Sequence, residues 1–201
     1  MGLRRGNSWI EAWRPGRCGR GRVIAVWGLG DVITTPTGKV RVVKAIPSSH
    51  ATEWLRRRHY AHRLPSISYA FAVFIGPEPI GVCTFGQPAS LSLCKGICGP
   101  QYRHLVLELN RLCVEDDAPK NTSSYLVGRA LRALPKPAIV VSYADSAQRH
   151  VGYIYQATNW LYTGKTTART DIATPNGQHS RHYEKGGDYS KRIPRSSKHR
   201  Y

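Results

Sequence analysis

An α/β domain with a mixed central sheet and helices on both faces is the fold class this sequence predicts. Three observations predict it. Strand-like and helix-like hydrophobic periods alternate, in the order strand, helix, hairpin, strand, helix, strand, helix, strand. Ala138 to Tyr143 (AIVVSY) is a nearly continuous apolar run, as expected for a parallel strand covered on both faces. Ser68 to Phe85 holds two apolar segments around Gly76-Pro77-Glu78-Pro79, so part of the sheet is an antiparallel hairpin. At 201 residues and 41% hydrophobic content, the chain suits one globular domain with an adequate core.

The elements follow in order. Residues 1–36 read as a loose basic extension containing a short strand at Val23 to Trp27, and residues 37–201 as the single domain. Val40 to Ile46 is Val-rich and predicts a strand. Pro47-Ser48-Ser49 predicts a helix start, with Ser48 or Ser49 as the N-cap and an end near Arg58. Ser68 to Ile75 and Ile80 to Phe85 form the hairpin, and residues 86–104 read as a long loop. Leu105 to Val114 is the central strand. Pro119 to Thr122 introduces a helix over Ser123 to Leu134, whose Val127, Ala130, Leu131 and Leu134 share one face. After the Ala138–Tyr143 strand, Asp145 opens a helix of about three turns with Val151, Ile154 and Tyr155 on one side. Trp160 to Thr163 predicts a last strand, and Asn176-Gly177 a hairpin turn.

Thirty Lys and Arg against twelve Asp and Glu give a net charge of +18. Residues 1–22 carry +5 and residues 165–201 carry +6, so the two ends are the electrostatic arms. Such a field attracts polyanions, and nucleic acid is the leading partner. Basic tails that only aid solubility are the plainer alternative. The five cysteines, an odd number, point to a reducing intracellular setting, and the chain opens on no export signal. Cys94 and Cys98 are four apart but lack a second ligand pair, so a zinc site is not expected. No apolar window is long enough for a membrane helix.

The segment Ser142 to Gly164 packs Asp145 and five aromatics together, too polar for a simple core helix, and reads as the wall of a pocket. Ligands on such sheets bind beyond the strand C-terminal ends, where neighbours splay. His59-Tyr60 after the first helix, Arg111 on the central strand and Asp145 after the last parallel strand can converge there. Each has a plainer reading. Asp145 also suits a helix N-cap, Tyr155 a core aromatic and His59 a helix C-cap. Arg111 suits either an ion pair with Glu108 or Asp145, or an anion contact. Trp160 reads as packing before base stacking. Arg56, Arg57 and Arg58 suit a solvated helix end or a phosphate contact. Arg192, Arg195, Lys198 and Arg200 suit nucleic-acid backbone contacts.

The element order resembles the acetyltransferase-type (GNAT) fold. His59-Tyr60, Glu108 to Leu134 (ELNRLCVEDDAPKNTSSYLVGRALRAL), SYAD at Ser142 to Asp145, and HVGYIYQATNWLYTG at His150 to Gly164 together resemble the Mom family of phage DNA-modification proteins. The match spans Ile46 to Gly164 and the RSSKHRY tail, Arg195 to Tyr201. The resemblance implies a transferase that adds a carbamoylmethyl group to adenine N6 in phage DNA and shields it from host restriction, in the cytoplasm of the infected bacterium. It implies His59, Tyr60, Asp145 and Tyr155 as the catalytic set, with Arg111 and Ser124 nearby. A His/Asp/Tyr set of this kind also suits iron.

One departure from ordinary acetyltransferases stands out. They hold the CoA pyrophosphate on a Gly-rich turn, whereas Pro119 to Ser124 contains no glycine. Lys120 and the neighbouring hydroxyls are the remaining phosphate contacts at that helix start. The transferred unit has the make-up of a glycyl group, so a glycyl-tRNA donor stands beside acetyl-CoA, and tRNA beside DNA as a partner. Two other functions stay open: an acetyl-CoA-dependent N-acetyltransferase on another amine, and a non-catalytic nucleic-acid-binding protein.

Overall fold

The computed structural model describes residues 33–34, 40–59, 65–172 and 192–201. Tyr60, the Val23–Trp27 strand and the Asn176-Gly177 turn lie outside the described residues.

A seven-stranded sheet runs in the order β1-β2-β3-β4-β5-β6-β9. Its strands are β1 (Ile33–Thr34), β2 (Val40–Ala45), β3 (Tyr69–Ile75), β4 (Glu78–Gly86), β5 (Val106–Val114), β6 (Ile139–Asp145) and β9 (Lys198–Arg200). Only β5 and β6 pair in parallel; every other neighbouring pair is antiparallel. A separate ribbon joins β7 (Arg169–Ile172) to β8 (Arg192–Arg195). The expected α/β class and mixed sheet are what the chain adopts.

Helices cover both faces, and the strand period of two decides which side chains each receives. On β3, Phe71 and Val73 pack with Phe85 and Leu109 beneath α3 (Thr122–Ala133), which buries Leu126, Val127 and Ala130 against them. Ala70 and Ala72 point the other way, to Ala51, Trp54 and Leu55 of α1 (Ser48–Arg58). The cap of α1 is Pro47, with no side-chain hydrogen bond, rather than Ser48 or Ser49.

Three expectations along the chain are corrected. Residues 86–104 contain a helix, α2 (Leu91–Cys98), which puts Cys94 against Val106 and Val141. Ser90 caps it through Leu93 N, and Gly99 ends it at φ 82°. Its small residues and cysteines hide the helical period, but Ser90 and Gly99 are the sequence signals that mark its two ends. Asp145 closes β6 instead of opening a long helix. Only a 3-10 turn (Ser146–Gln148) and the single turn α4 (Tyr153–Gln156) follow, because Arg149 and Gly152 both take positive φ. Trp160 to Thr163 forms no strand. Thr163 instead accompanies the C-terminal segment, its N–H donating to Arg200 O at 2.8 Å.

Candidate active-site cleft

Parallel pairing between β5 and β6 runs from Val106↔Ile139 to Leu109↔Ser142 and stops there. Beyond that point β6 turns its backbone to β9: Ser142 and Tyr201 exchange both N–H···O bonds at 3.0 Å. On the other side, β5 carries a bulge. Thr84 pairs with Arg111 and Phe85 with Leu109, which leaves Asn110 unpaired in the ladder. Its amide is held by Thr84 Oγ1 at 2.6 Å and by Ser66 O at 2.9 Å. The two strands therefore splay. A cleft of about 410 Å³ opens between them, within the ordinary range for small-ligand sites.

This cleft brings together His59, Arg111, Asp145 and Tyr155. His59 is buried, and its backbone N–H also closes α1 on Leu55 O at 2.9 Å, so the C-cap and the cleft position coexist. Two expected substrate contacts are not brought in. Lys120 lies outside the cleft lining, where its carbonyl accepts from Arg41. Ser124 bonds Asn121 O and lines a separate cavity between α3 and residues 157–159. The neighbouring Ser123 faces the cleft instead, because α3 begins at Thr122 and sets that residue on the inner side.

Asp145 is tightly held. Its Oδ1 accepts from Ser196 Oγ at 2.5 Å and from the Ala147 N–H at 3.0 Å, and Lys198 Nζ stands 3.1 Å from Oδ2. Burial by itself raises the pKa of this carboxyl. The bonds from Ser196, Lys198 and Ala147 outweigh that and hold it below the usual carboxylate value. Asp145 is thus an anion at neutral pH and also the cap of the 3-10 turn. A folded pKa below the unfolded one contributes stability above the unfolded value, about 3.9, and that contribution is lost as pH falls through the folded value. Urea midpoints of the wild type and Asp145→Asn are therefore expected to differ at pH 6 and to converge in acid. A constant gap would show that Asp145 is not held this way.

Lys198 was expected on the nucleic-acid backbone. It is an ion-pair partner inside the cleft. The other basic positions lie outside the cleft lining. Arg57 pairs with Glu53, while Arg58 pairs with Glu115 and stacks over Trp54. Arg192 bonds Thr170, Arg200 bonds Thr163, Arg195 is half-buried and Arg56 is exposed.

Tyr155 sits on the opposite wall. Its phenol oxygen lies 2.9 Å from Ser142 Oγ, which is 2.8 Å from Leu109 O. Ser142 has one proton and the carbonyl has none. When Ser142 donates to Leu109 O, its oxygen is open to receive the phenol proton. The Tyr155 ring is wedged between Trp160 at 5.2 Å and Tyr201 at 5.0 Å. Ser142 and Tyr201 carry no sequence signal beyond their place in SYAD and in the RSSKHRY tail.

No three His, Cys, Asp or Glu side chains cluster among the described residues so as to hold a metal ion. No helix among the described residues is long and apolar enough to cross a membrane.

Fold and cleft define an α/β protein with a cleft where a parallel strand pair splays. Residues 40–201 match the Mom protein family, and the chain belongs to that family. It is 30% identical over 121 residues to the protein named methylcarbamoylase mom of Escherichia phage Mu, covering 55% of this chain and 50% of that one. The chain thus matches about half the length of that relative. Among solved structures it is similar to an N-acetyltransferase from Staphylococcus aureus Mu50 (TM-score 0.48, 13% identity, 80% of this chain and 97% of that one). It is also similar to an apo mutant of an agmatine N-acetyltransferase (TM-score 0.45, 11% identity, 80% and 98%).

Proposed function

We propose that this chain is a transferase that modifies adenine N6 in phage DNA with a two-carbon amide unit, the carbamoylmethyl group, and so protects that DNA from restriction in the infected cell. The observation that carries the reading is a single cleft holding an anionic carboxylate, a phenol–serine pair and several cations, in a member of the Mom family. The name methylcarbamoylase, borne by the phage Mu relative, fits it.

The chemistry explains the parts. Adenine N6 is a weak nucleophile, because its lone pair is delocalised into the ring. Attack therefore needs an activated donor, a proton acceptor and a proton donor for the leaving group. The amine is also hidden in duplex DNA, so the base enters flipped out or single-stranded. Asp145, with acceptor capacity remaining after its three protein donors, receives a hydrogen bond from the incoming amine and orients it. Tyr155 gives its proton to the leaving group. The exposed Arg56 and Arg192, and the net charge of +18, hold DNA phosphates and would equally hold the tRNA of an aminoacyl donor.

A glycyl ester acylating N6 yields a glycyl amide. That product is an isomer of the carbamoylmethyl adduct, with the same mass but a different order of carbonyl and methylene. The test is nucleoside mass spectrometry on DNA from bacteria expressing the full chain, with fragmentation to separate the isomers. A heavier adenine nucleoside is expected; unmodified adenine beside soluble folded protein would refute the reading. Purified protein, DNA and either glycyl-tRNA or acetyl-CoA then assign the donor.

A further inference from the structure

An exposed tyrosine stands on the rim of the cleft without a packing role in the fold. Tyr153 lines the cleft that holds Asp145 and Tyr155, and it is 77% exposed. No hydrogen bond or ring contact joins its side chain to any described residue. Val151, on the same lining, is also exposed. A single ring in water is ordinary on a protein surface. This one differs in where it stands and in how firmly its backbone is held.

The segment leading to Tyr153 bends at Arg149, with φ 56°, and at Gly152, with φ 83°. The His150 N–H bonds Asp145 O at 3.1 Å, which ties the segment to the residue that supplies the cleft carboxylate. Val151 O accepts from the Tyr201 hydroxyl at 2.8 Å and from Gln156 Nε2 at 3.3 Å. A ring on so fixed a backbone meets a ligand at reduced entropic cost. Direction separates it from its neighbour. Tyr153 and Tyr155 are two residues apart on α4, which turns them roughly 200° from each other about the helix axis. Tyr155 turns inward to Trp160 and Tyr201. Trp160, the base-stacking candidate of the sequence, is thereby committed to packing. Tyr153 is left facing solvent at the cleft mouth.

We propose that Tyr153 is the stacking platform for a DNA base at the cleft mouth, and that this base is the acceptor adenine. The proposal rests on the reading that this cleft modifies adenine, and it adds the residue that holds the base. A purine drawn out of a duplex loses its stacking partners. A ring fixed at the mouth replaces one of them. Tyrosine does so without reading sequence, because every base presents a π-face. Arg149 lies exposed on the same lining and offers a cation to the phosphate beside that base. Asp145 is half-buried and lies further in, where the exocyclic amine of a stacked adenine arrives. The rim thus supplies a flat apolar contact and the interior the polar ones, the usual division of a pocket that takes an extruded base.

The test compares binding and rate on the full chain. Wild type, Tyr153→Ala, Tyr153→Phe and Tyr153→Trp are titrated by fluorescence anisotropy, at fixed salt, against single-stranded oligo-dA and an abasic strand of the same length. The Ala variant is expected to bind oligo-dA about 10–100-fold more weakly, the worth of one base stacked on an aromatic ring. It is expected to bind the abasic strand as the wild type does, with the same salt slope, because stacking releases no counterions. Phe and Trp restore oligo-dA binding. In the second readout, formation of modified nucleoside, the Ala variant raises KM for oligo-dA by the same factor at unchanged kcat, since the stacked base is held equally before and during transfer. Equal urea midpoints are expected throughout, and a midpoint shifted in Tyr153→Ala would assign the ring to the fold and overturn the proposal. Wild-type affinity of the Ala variant for oligo-dA, an equal loss on the abasic strand, or no rescue by Phe overturns it too. So does a loss confined to tRNA or acetyl-CoA, which would put a donor's adenosine against the ring. Failure of the functional reading looks different: the wild type itself forms no modified nucleoside, and the anisotropy arms still decide whether Tyr153 holds a base.

Discussion

Replacing Tyr155 with Phe is expected to abolish adenine modification while leaving the fold intact. The substitution removes one oxygen, the group that lies 2.9 Å from Ser142 Oγ. It keeps the ring between Trp160 and Tyr201, so the packing survives. Ser142 keeps its own acceptor, Leu109 O at 2.8 Å. The expected stability change is therefore no more than about 1.5 kcal/mol, the net worth of one hydrogen bond. The expected rate loss is about 10²–10⁴-fold, the usual contribution of a positioned proton donor. Modified nucleoside per mole of folded protein measures the rate loss and urea unfolding the stability change. Full activity in the Phe variant would remove Tyr155 from the chemistry.

Replacing Tyr201 with Ala is expected to be the most destabilising single change near the cleft. Tyr201 is only 7% exposed. Its ring lies 5.0 Å from Tyr155 and 5.3 Å from Tyr162, and its hydroxyl donates to Val151 O at 2.8 Å. Gly152, at φ 83°, lets the backbone lie directly against that ring, where any Cβ would collide with it. Truncation leaves a cavity and removes one of the two side-chain donors to Val151 O, the other being Gln156 Nε2 at 3.3 Å, with an expected cost of about 3–5 kcal/mol. Tyr201→Phe keeps the ring and should lose only about 1 kcal/mol, the share of the hydroxyl. Equal urea midpoints for wild type and Tyr201→Ala would show that the ring does not brace this wall. The two predictions are linked, because the Tyr201 backbone also bonds both the N–H and the C=O of Ser142 and so sets the oxygen that meets Tyr155.

How much of this was legible depended on the range of the interaction. Hydrophobic period is local, so β3, β4, β5, α3 and β6 could be read to within a few residues. The class of sheet followed from the apolar run at Ala138 to Tyr143. His59, Arg111, Asp145 and Tyr155 stood out as polar groups set at element ends or inside apolar stretches, and the cleft does bring them together. Where the local signal was mixed, the reading failed. Ser, Cys and Gly masked α2, and Arg149 and Gly152 broke the helix that the spacing of Val151, Ile154 and Tyr155 suggested.

From its residues alone, then, the chain declared an α/β sheet, a strongly basic surface and a polar aromatic segment beside one acid. The tertiary structure alone decided which groups face one another. Backbone pairing of β9 with β6 brings Ser196 and Lys198 onto Asp145, and Tyr201 onto Ser142. Strand alternation sets Glu108 on the opposite face of β5 from Leu107 and Leu109. Main-chain hydrogen bonds join β6 to β9 whatever their side chains, so a partner more than fifty residues away leaves no periodic mark in the sequence.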